Sequence, residues 1–249
     1  MNMFKVLFFS FILLVANKSI SQYSSEGDLI SRFRPGLMWF NTGIRPAIPE
    51  KVPKYDRLIF DLTYNTWNGD QKAFKNNWNS IGLNTNIIFD IPITKGNTVS
   101  FGTGITHSLF RIQHNNLFVT DSTNSFTTYQ LKDSTTTFDK NYLGGNSFSV
   151  PIEFRFRTKG WKHFKVHIGG KVGYQLNLFS KTISTGENGK IIHKNYDFTD
   201  INRLIYSAHV RIGMRNWALY GSYNLNGLFS HRSSSQLNLF QLGLSISLY

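Results

Sequence analysis

The chain of 249 residues has no cysteine, few acidic residues and few long apolar runs. The absence of cysteine excludes disulfides and is common in proteins that cross an oxidising periplasm. Only the N-terminus carries an uninterrupted apolar run, and the mean hydropathy is −0.23. A bundle of membrane helices is therefore excluded, because each span needs about 20 apolar residues.

Acidic residues number 14 against 27 lysines and arginines, which gives a formal net charge of +13. A basic chain can bind nucleic acid through its phosphates. Here the cations alternate singly with apolar residues, and the sequence contains no motif of a DNA- or RNA-binding module. We therefore expect no nucleic-acid partner, and interpret the charge as a basic lumen or as contacts with anionic lipid headgroups.

Aromatic residues are abundant for so polar a chain, with 22 Phe, 11 Tyr and 5 Trp. Outer-membrane barrels combine these properties, because half of each strand faces lipid, half faces a wet lumen, and aromatic side chains mark both interfaces. The composition therefore favours a β-barrel.

The first 21 residues have the three parts of a secretory signal peptide. A basic stretch at 1–5 precedes an apolar stretch at 6–16, and Ser19-Ile20-Ser21 forms a small-x-small site before Gln22. The apolar run is short for an uncleaved anchor. We expect cleavage after about Ser21.

Residues 22–56 follow as a segment with four prolines, which disfavour a regular strand ladder. Trp39 and Phe40 form an apolar patch within it. The sequence predicts either a periplasmic lead-in, a segment that plugs the lumen or one that docks on a partner; 34–44 could also add an edge strand. The barrel itself is predicted at 57–249.

The segment 147–178 predicts two long strands joined by a tight turn at 158–162, because its side chains alternate in character. One face is apolar, and we expect it to meet lipid: Phe148, Val150, Ile152, Phe154, Phe156, Phe164, Val166, Ile168, Val172, Tyr174, Leu176 and Leu178. The opposite face is polar and basic, and includes Gln175 and Asn177.

Six further strands are predicted, at 57–67, 78–93, 98–110, 204–214, 217–225 and 236–249. Short turns alternate with longer polar connections, two of which, 113–145 and 180–202, are especially long. This alternation is typical of bacterial barrels, with short periplasmic turns and long external loops. The predicted fold is all-β, an antiparallel transmembrane β-barrel of about eight strands. A soluble sandwich or lipocalin-like barrel would instead turn its apolar face inward.

The polar face predicts a basic cluster in the lumen. Its members are Glu153, Arg155, Arg157, Lys165, His167, Lys171, His209, Arg211 and Arg215, with Ser207 beside His209. An eight-stranded barrel is just wide enough for side chains to fill, so buried charges must pair. With Glu153 as the one acid of the cluster, pairing is expected to be incomplete, and water, anions or an acidic segment to enter.

A weak candidate for catalysis is the pair His231 and Ser233, which would share a face on an extended strand. Small barrel deacylases of lipid A use such a His-x-Ser pair, but no acidic residue follows Ser233, and Ser234 stands where an Asn usually follows. No metal or cofactor site is predicted, since His163 and His167 lie roughly 13 Å apart on a strand.

The glycine interruptions Gly102-Thr103-Gly104 and Gly169-Gly170, the aromatic strands and the ending FQLGLSISLY resemble the small outer-membrane β-barrels of Bacteroidota, including the PorT-like proteins. The resemblance implies insertion by the outer-membrane assembly machinery, which recognises a terminal aromatic such as Tyr249. That residue is one position out of phase with the apolar face of the last strand.

The expected function is a structural or accessory role in the envelope, without enzymatic activity. The resemblance alone implies membership of a secretion or assembly complex. The expected partners are outer-membrane lipid and lipopolysaccharide, the assembly machinery, and a protein of such a complex. The alternatives are a lipid-modifying hydrolase using His231 and Ser233, and a narrow anion pore, which the strand number disfavours.

Overall fold

The computed structural model describes residues 57–69, 77–94, 98–121, 126–130, 138–158, 164–186 and 189–248. These residues form eleven strands: β1 Leu58–Gly69, β2 Ile81–Pro92, β3 Val99–His114, β4 Leu117–Asp121, β5 Phe126–Gln130, β6 Lys140–Arg157, β7 Phe164–Gly186, β8 Gly189–Asn195, β9 Leu204–Met214, β10 Trp217–Asn224 and β11 Leu237–Ser247. None of the described residues belongs to a helix long and apolar enough to cross a membrane.

Eight of these strands close into an antiparallel barrel. The order runs β6-β3-β2-β1-β11-β10-β9-β7, and pairing of β6 with β7 closes the ring. Closure satisfies the backbone hydrogen bonds of every barrel strand without leaving an edge, which a membrane-spanning sheet requires. The predicted eight-stranded all-β barrel is confirmed.

The outer wall is apolar because alternate side chains of each strand point away from the lumen. On β6, Phe148, Val150, Ile152, Phe154 and Phe156 are each about half exposed, whereas Glu153 and Arg155 between them are fully buried. Leu62, Ile87, Phe89, Ile105, Ile168, Val172, Tyr174, Leu219, Leu242 and Leu244 continue the outer face on other strands. This direction is the reverse of a soluble barrel, so the soluble alternative is wrong.

The external end of the barrel contains more strand structure than the sequence predicted. The connection expected at 113–145 holds the hairpin β4–β5 and the first residues of β6. The connection expected at 180–202 holds the end of β7 and all of β8, which pair as a hairpin. The prediction of two polar loops was therefore wrong, because these strands lie beyond the lipid band and lack its strong apolar alternation.

A β-bulge reverses the orientation of side chains near the external end of β7. Asn146 pairs with Asn177 and Ser147 pairs with Gln175, so Leu176 is an extra residue in β7. One extra residue turns the following side chains to the opposite face. Leu178 is consequently buried inside the barrel and Asn177 is exposed, the reverse of the predicted faces.

Strand ends differ modestly from the prediction elsewhere. The second strand begins at Ile81 rather than at Trp78, which lies exposed in a turn. The third continues to His114, because β3 and β6 stay paired to that residue. The signal peptide, the segment 22–56, Tyr249, His163 and most of the 158–162 turn lie outside the described residues.

The two adjacent glycines of β7 offer a matched test of the wall packing. A Cβ on Gly169 would collide with the Ile152 backbone oxygen, whereas a Cβ on Gly170 would meet only the Ser207 oxygen, at 3.4 Å. We expect Gly169→Ala to lower the yield of folded barrel and Gly170→Ala to leave it unchanged. The heat-dependent shift of the folded band on an SDS gel measures both, and equal yields would contradict the predicted close contact at Gly169.

Candidate functional site

The middle of the lumen is filled by a network of buried charged and polar side chains centred on Arg211 of β9. Its guanidinium donates from Nε to Asp61 Oδ1 at 3.0 Å and from Nη2 to Asp61 Oδ2 at 2.8 Å. Nη1 donates to Glu153 Oε1 at 2.6 Å. Asp61 lies on β1 and Glu153 on β6, so one arginine connects three strands across the barrel interior.

Each carboxylate of this centre receives further donors. Asp61 accepts hydrogen bonds from Ser245 Oγ at 2.6 Å and from Asn86 Nδ2 at 2.9 Å. Glu153 accepts one from Arg155 Nε at 2.9 Å, and its Oε1 lies 2.8 Å from His209 Nε2. Both carboxylates are therefore held by several strands at once, which fixes their orientation.

Two aspartates were missing from the predicted cluster. Asp61 pairs with Arg211, and Asp90 of β2 lies 2.7 Å from Arg157 Nη2 and 3.6 Å from Arg155 Nη1. Each of these aspartates has a fully buried side chain. The expectation of a single acid in the lumen was therefore wrong, and charge pairing is more complete than the sequence suggested.

The remaining cations of the network contact neutral groups. Lys171 Nζ donates to the Tyr220 hydroxyl at 2.7 Å, and Lys165 Nζ donates to Ser247 Oγ at 2.8 Å. The Tyr220 ring also contacts Arg211, whose guanidinium carbon lies 5.0 Å from the ring centroid. These hydroxyls give the lysines partners without adding charge. Among the described residues, five cations therefore face three carboxylates.

The structure brings eight of the nine predicted cluster residues to the lumen. Seven, including His167, are almost fully buried, and Arg157 lies at the periplasmic end of β6. Ser207, predicted beside His209, also points inward. Arg215 is the exception, since it lies in the tight turn between β9 and β10 with a φ of 55°. The alternation of side chains therefore identified the inward positions correctly within the strands. Arg215 does not follow it, because this residue lies in a turn.

All eight barrel strands contribute to what we call the lumen network: Asp61, Asn86, Asp90, Thr106, Glu153, Arg155, Arg157, Lys165, Lys171, His209, Arg211, Tyr220, Ser245 and Ser247. Burying charges costs desolvation energy that pairing only offsets, so such networks are weak evidence for stability. Because a slip by one residue would turn each charged side chain into lipid, the network specifies strand register.

A glycine in the wall makes room for the arginine next to this centre. Gly102 of β3 pairs with Glu153, and a Cβ there would lie 2.7 Å from Arg155 Nε. The Gly102-Thr103-Gly104 motif thus has a packing role, in which a missing side chain admits the guanidinium of Arg155.

The external third of the lumen is apolar, in contrast to its middle. Trp67, Phe110, Leu143, Leu178 and Leu239 point inward from barrel strands. With Ile112 and Leu237 they pack against loop and hairpin residues, and we call the whole cluster the external plug: Trp67, Phe110, Ile112, Phe118, Leu143, Leu178, Phe198, Ile201, Phe229, Leu237 and Leu239. The plug covers the lumen network from the external side.

Asp200 fastens the segments that cover the plug. Its carboxylate accepts hydrogen bonds from Thr127 N at 3.0 Å, from Thr127 Oγ1 at 2.5 Å and from the Ser234 hydroxyl. Its backbone oxygen accepts from Ser230 N at 2.8 Å. Asp200 precedes β9, Thr127 lies on β5, and Ser230 and Ser234 precede β11. One buried carboxylate therefore holds three external segments over the barrel.

His114 lies beside the plug, at the external end of β3, and is buried against Phe118 with ring centroids 5.1 Å apart. Burial lowers the pKa of His114 to about 4, because desolvation disfavours the charged ring. The imidazole is therefore neutral at neutral pH, and its packing beside the plug is unaffected by mild acid.

Little space remains between the plug and the lumen network. A cavity of about 40 Å³ is lined by residues such as Trp67, Ser108, Lys171, Ser222 and Gln241. This volume holds at most a few water molecules. Within the described part of the chain, the lumen is closed, which is unfavourable for the predicted anion pore.

The weak catalytic candidate lies outside the lumen, in an exposed turn before β11. His231 Nδ1 accepts a hydrogen bond from Ser233 N at 3.1 Å, and its ring stacks on Phe126 with centroids 6.0 Å apart. Ser234 N also bonds to the His231 oxygen at 3.1 Å, which closes the turn. The premise that both residues lie on one face of an extended strand was therefore wrong.

Within the described ranges, no group of three or more metal-ligating side chains is assembled.

No protein-family model matches the sequence, and no curated protein matches it either. Solved structures do, including two of one protein. Ail, the attachment invasion locus protein of Yersinia pestis, is 14% identical with a TM-score of 0.31, and the match covers 76% of this chain and 95% of Ail. Ail in complex with the heparin analogue sucrose octasulfate is 12% identical with a TM-score of 0.29, covering 76% and 96%.

A closed antiparallel barrel with an apolar outer wall and short turns at one end is the architecture of bacterial outer-membrane proteins. The protein lies in the outer membrane. Long segments between strands mark the external end, so the external plug faces outward. The ends of β2, β6 and β9, which few residues separate from the next strand, face the periplasm.

Removing the cation of Arg211 should destabilise the barrel, because the carboxylates around it stay buried. We expect Arg211→Met to lower the free energy of unfolding by about 3–5 kcal/mol, because Asp61 and Glu153 stay buried without their main partner. Asp61→Asn in the same chain should recover part of the loss. Urea titration in lipid vesicles, followed by tryptophan fluorescence, measures each variant.

Lys171→Met is the matched control, because it removes a cation that donates to the neutral Tyr220 hydroxyl. Its loss should be clearly smaller than that of Arg211→Met. Equal losses, with no recovery by Asp61→Asn, would contradict the central role of Arg211.

Proposed function

We propose that this outer-membrane barrel is a non-enzymatic structural or accessory component of the envelope, and a subunit of a secretion or assembly complex. The closed lumen is the observation that carries the proposal. A barrel filled by paired charges and covered by an apolar plug offers no wide path for solutes. Its function therefore depends on contacts made by its outer surfaces.

The external surface has a feature suited to a protein partner. The strand β8 is exposed along nearly its whole length and, among the described strands, pairs only with β7. Ile191 is 60% and Ile192 is 54% exposed, and Tyr196 follows them at 55%. Apolar side chains on a free strand edge above the membrane favour contact with another chain through strand addition.

The kind of complex is suggested by sequence alone. The glycine interruptions and the aromatic ending resemble PorT-like barrels of Bacteroidota, and we include membership of that group in the proposal. Gly102 supports a structural reason for one of these interruptions, since it admits Arg155.

The test is affinity purification of the tagged full-length chain from outer membranes in mild detergent. We expect a stoichiometric partner with the wild-type chain and its loss from a variant carrying Ile191→Asp and Ile192→Asp. A second arm deletes 22–56 while keeping the signal peptide, to ask whether this segment also contributes to binding.

Val119→Asp is the matched control, because Val119 is 40% exposed on the other external hairpin. This variant should keep the partner. If the barrel is recovered alone in every form, the complex-subunit proposal is wrong. Stepwise ion conductance of the wild-type chain in planar bilayers would favour the pore instead.

A further inference from the structure

The outer wall carries an open groove of about 460 Å³ near the external limit of the apolar band. Its lower side is apolar, and follows one row of paired residues around the barrel: Leu62 with Leu83, and Leu83 with Leu109. The same row continues to Asn146 and then to Asn177. The groove therefore begins among lipid-facing side chains and ends at two amides.

An exposed arginine lies at the external edge of this groove. Arg111 is two residues beyond Leu109 on β3 and points to the same outer side. Its guanidinium carbon lies 5.1 Å from the centroid of the Tyr142 ring, a cation–π contact that holds the charge against the wall. A guanidinium at the bilayer boundary is well suited to a phosphate, which it can bind with two donors.

The groove also contains an acceptor without a donor. Asn146 Oδ1 is buried, and no hydrogen bond reaches it from the described residues. A buried acceptor of this kind favours a ligand that donates, such as a sugar hydroxyl. The second amide, Asn177, is exposed beside it because the bulge at Leu176 turns it outward.

We propose that this groove binds one molecule of a phosphorylated glycolipid of the outer leaflet. One acyl chain lies against Leu62, Leu83 and Leu109, a phosphate binds Arg111, and a hydroxyl of the sugar donates to Asn146. A groove in the lipid-facing wall is filled by acyl chains in the membrane, and a phosphorylated glycolipid combines such chains with both a phosphate and sugar hydroxyls. This inference rests on the location of the barrel in the outer membrane and not on its proposed role in a complex.

Native mass spectrometry of the full-length barrel in detergent tests the proposal. The added probes are bisphosphorylated lipid A, the same lipid A after removal of its phosphates, and phosphatidylglycerol. We expect one bound bisphosphorylated lipid A on the wild-type chain, and about tenfold weaker binding by Arg111→Gln, since a charge-assisted contact is lost. The other two probes should bind more weakly than bisphosphorylated lipid A.

Two further variants separate the charge from the groove. Lys190→Gln removes an exposed cation of β8 that pairs with Thr185, farther along the hairpin from the groove, and should leave lipid A binding unchanged. Leu83→Trp fills the groove without altering charge, and should weaken both forms of lipid A. A heat-dependent gel shift checks that each variant is folded. Equal effects of Arg111→Gln and Lys190→Gln, or equal binding of phosphatidylglycerol and lipid A, would overturn the proposal.

Discussion

The buried contact of Arg211 with Asp61 and Glu153 is the constraint on which the rest of the barrel depends. The three residues belong to β9, β1 and β6, which are not sequence neighbours, and their charges lie inside a wall whose outer face meets lipid. In a membrane, the backbone hydrogen bonds of a strand can form in the native register and also in a register shifted by one residue. Charged side chains that must face inward remove this ambiguity, because one slipped register would expose them to hydrocarbon.

The lumen is closed by two different kinds of interaction at two levels. In the middle, charged and hydroxyl groups pair and fill the narrow interior. Towards the outside, aromatic and aliphatic side chains form the external plug, and Asp200 holds the segments above it. Hydrogen-bonded polar groups tolerate an apolar cover better than unpaired ones, and the cover keeps water from competing for their hydrogen bonds. The two layers therefore support each other, which leaves the external surface and the lipid-facing wall as the places available for binding.

Much of this architecture could be predicted from residue alternation. The eight barrel strands, the outward apolar faces and the inward positions of Arg155, Lys171 and Arg211 follow from a period of two. Asp61 and Asp90 obey the same rule but were not predicted, since each stands singly between apolar neighbours, outside the strands that are dense in basic residues. The alternation of β1, with Asp61, Thr63 and Asn65 on one side, was the signal that would have found the first of them.

Other features depend on contacts that no local pattern contains. The bulge that buries Leu178 appears only when β6 and β7 are paired, and the hairpins beyond the lipid band lack a strong apolar period. The segments joined at Asp200 come from three separate parts of the chain. The external plug could likewise be recognised only after folding, because its inward apolar side chains interrupt the polar face that the strands show in the membrane.

The closed lumen is the central claim, and thiol labelling tests it most directly because the chain has no cysteine of its own. Ser222→Cys places one thiol in the cavity between the lumen network and the external plug, and Ile192→Cys places one on the exposed strand β8. With a membrane-impermeant maleimide added to both sides of the folded barrel in vesicles, the account predicts labelling at position 192 and none at position 222 until the barrel is unfolded. Comparable labelling rates at the two positions in the folded barrel would contradict a closed lumen.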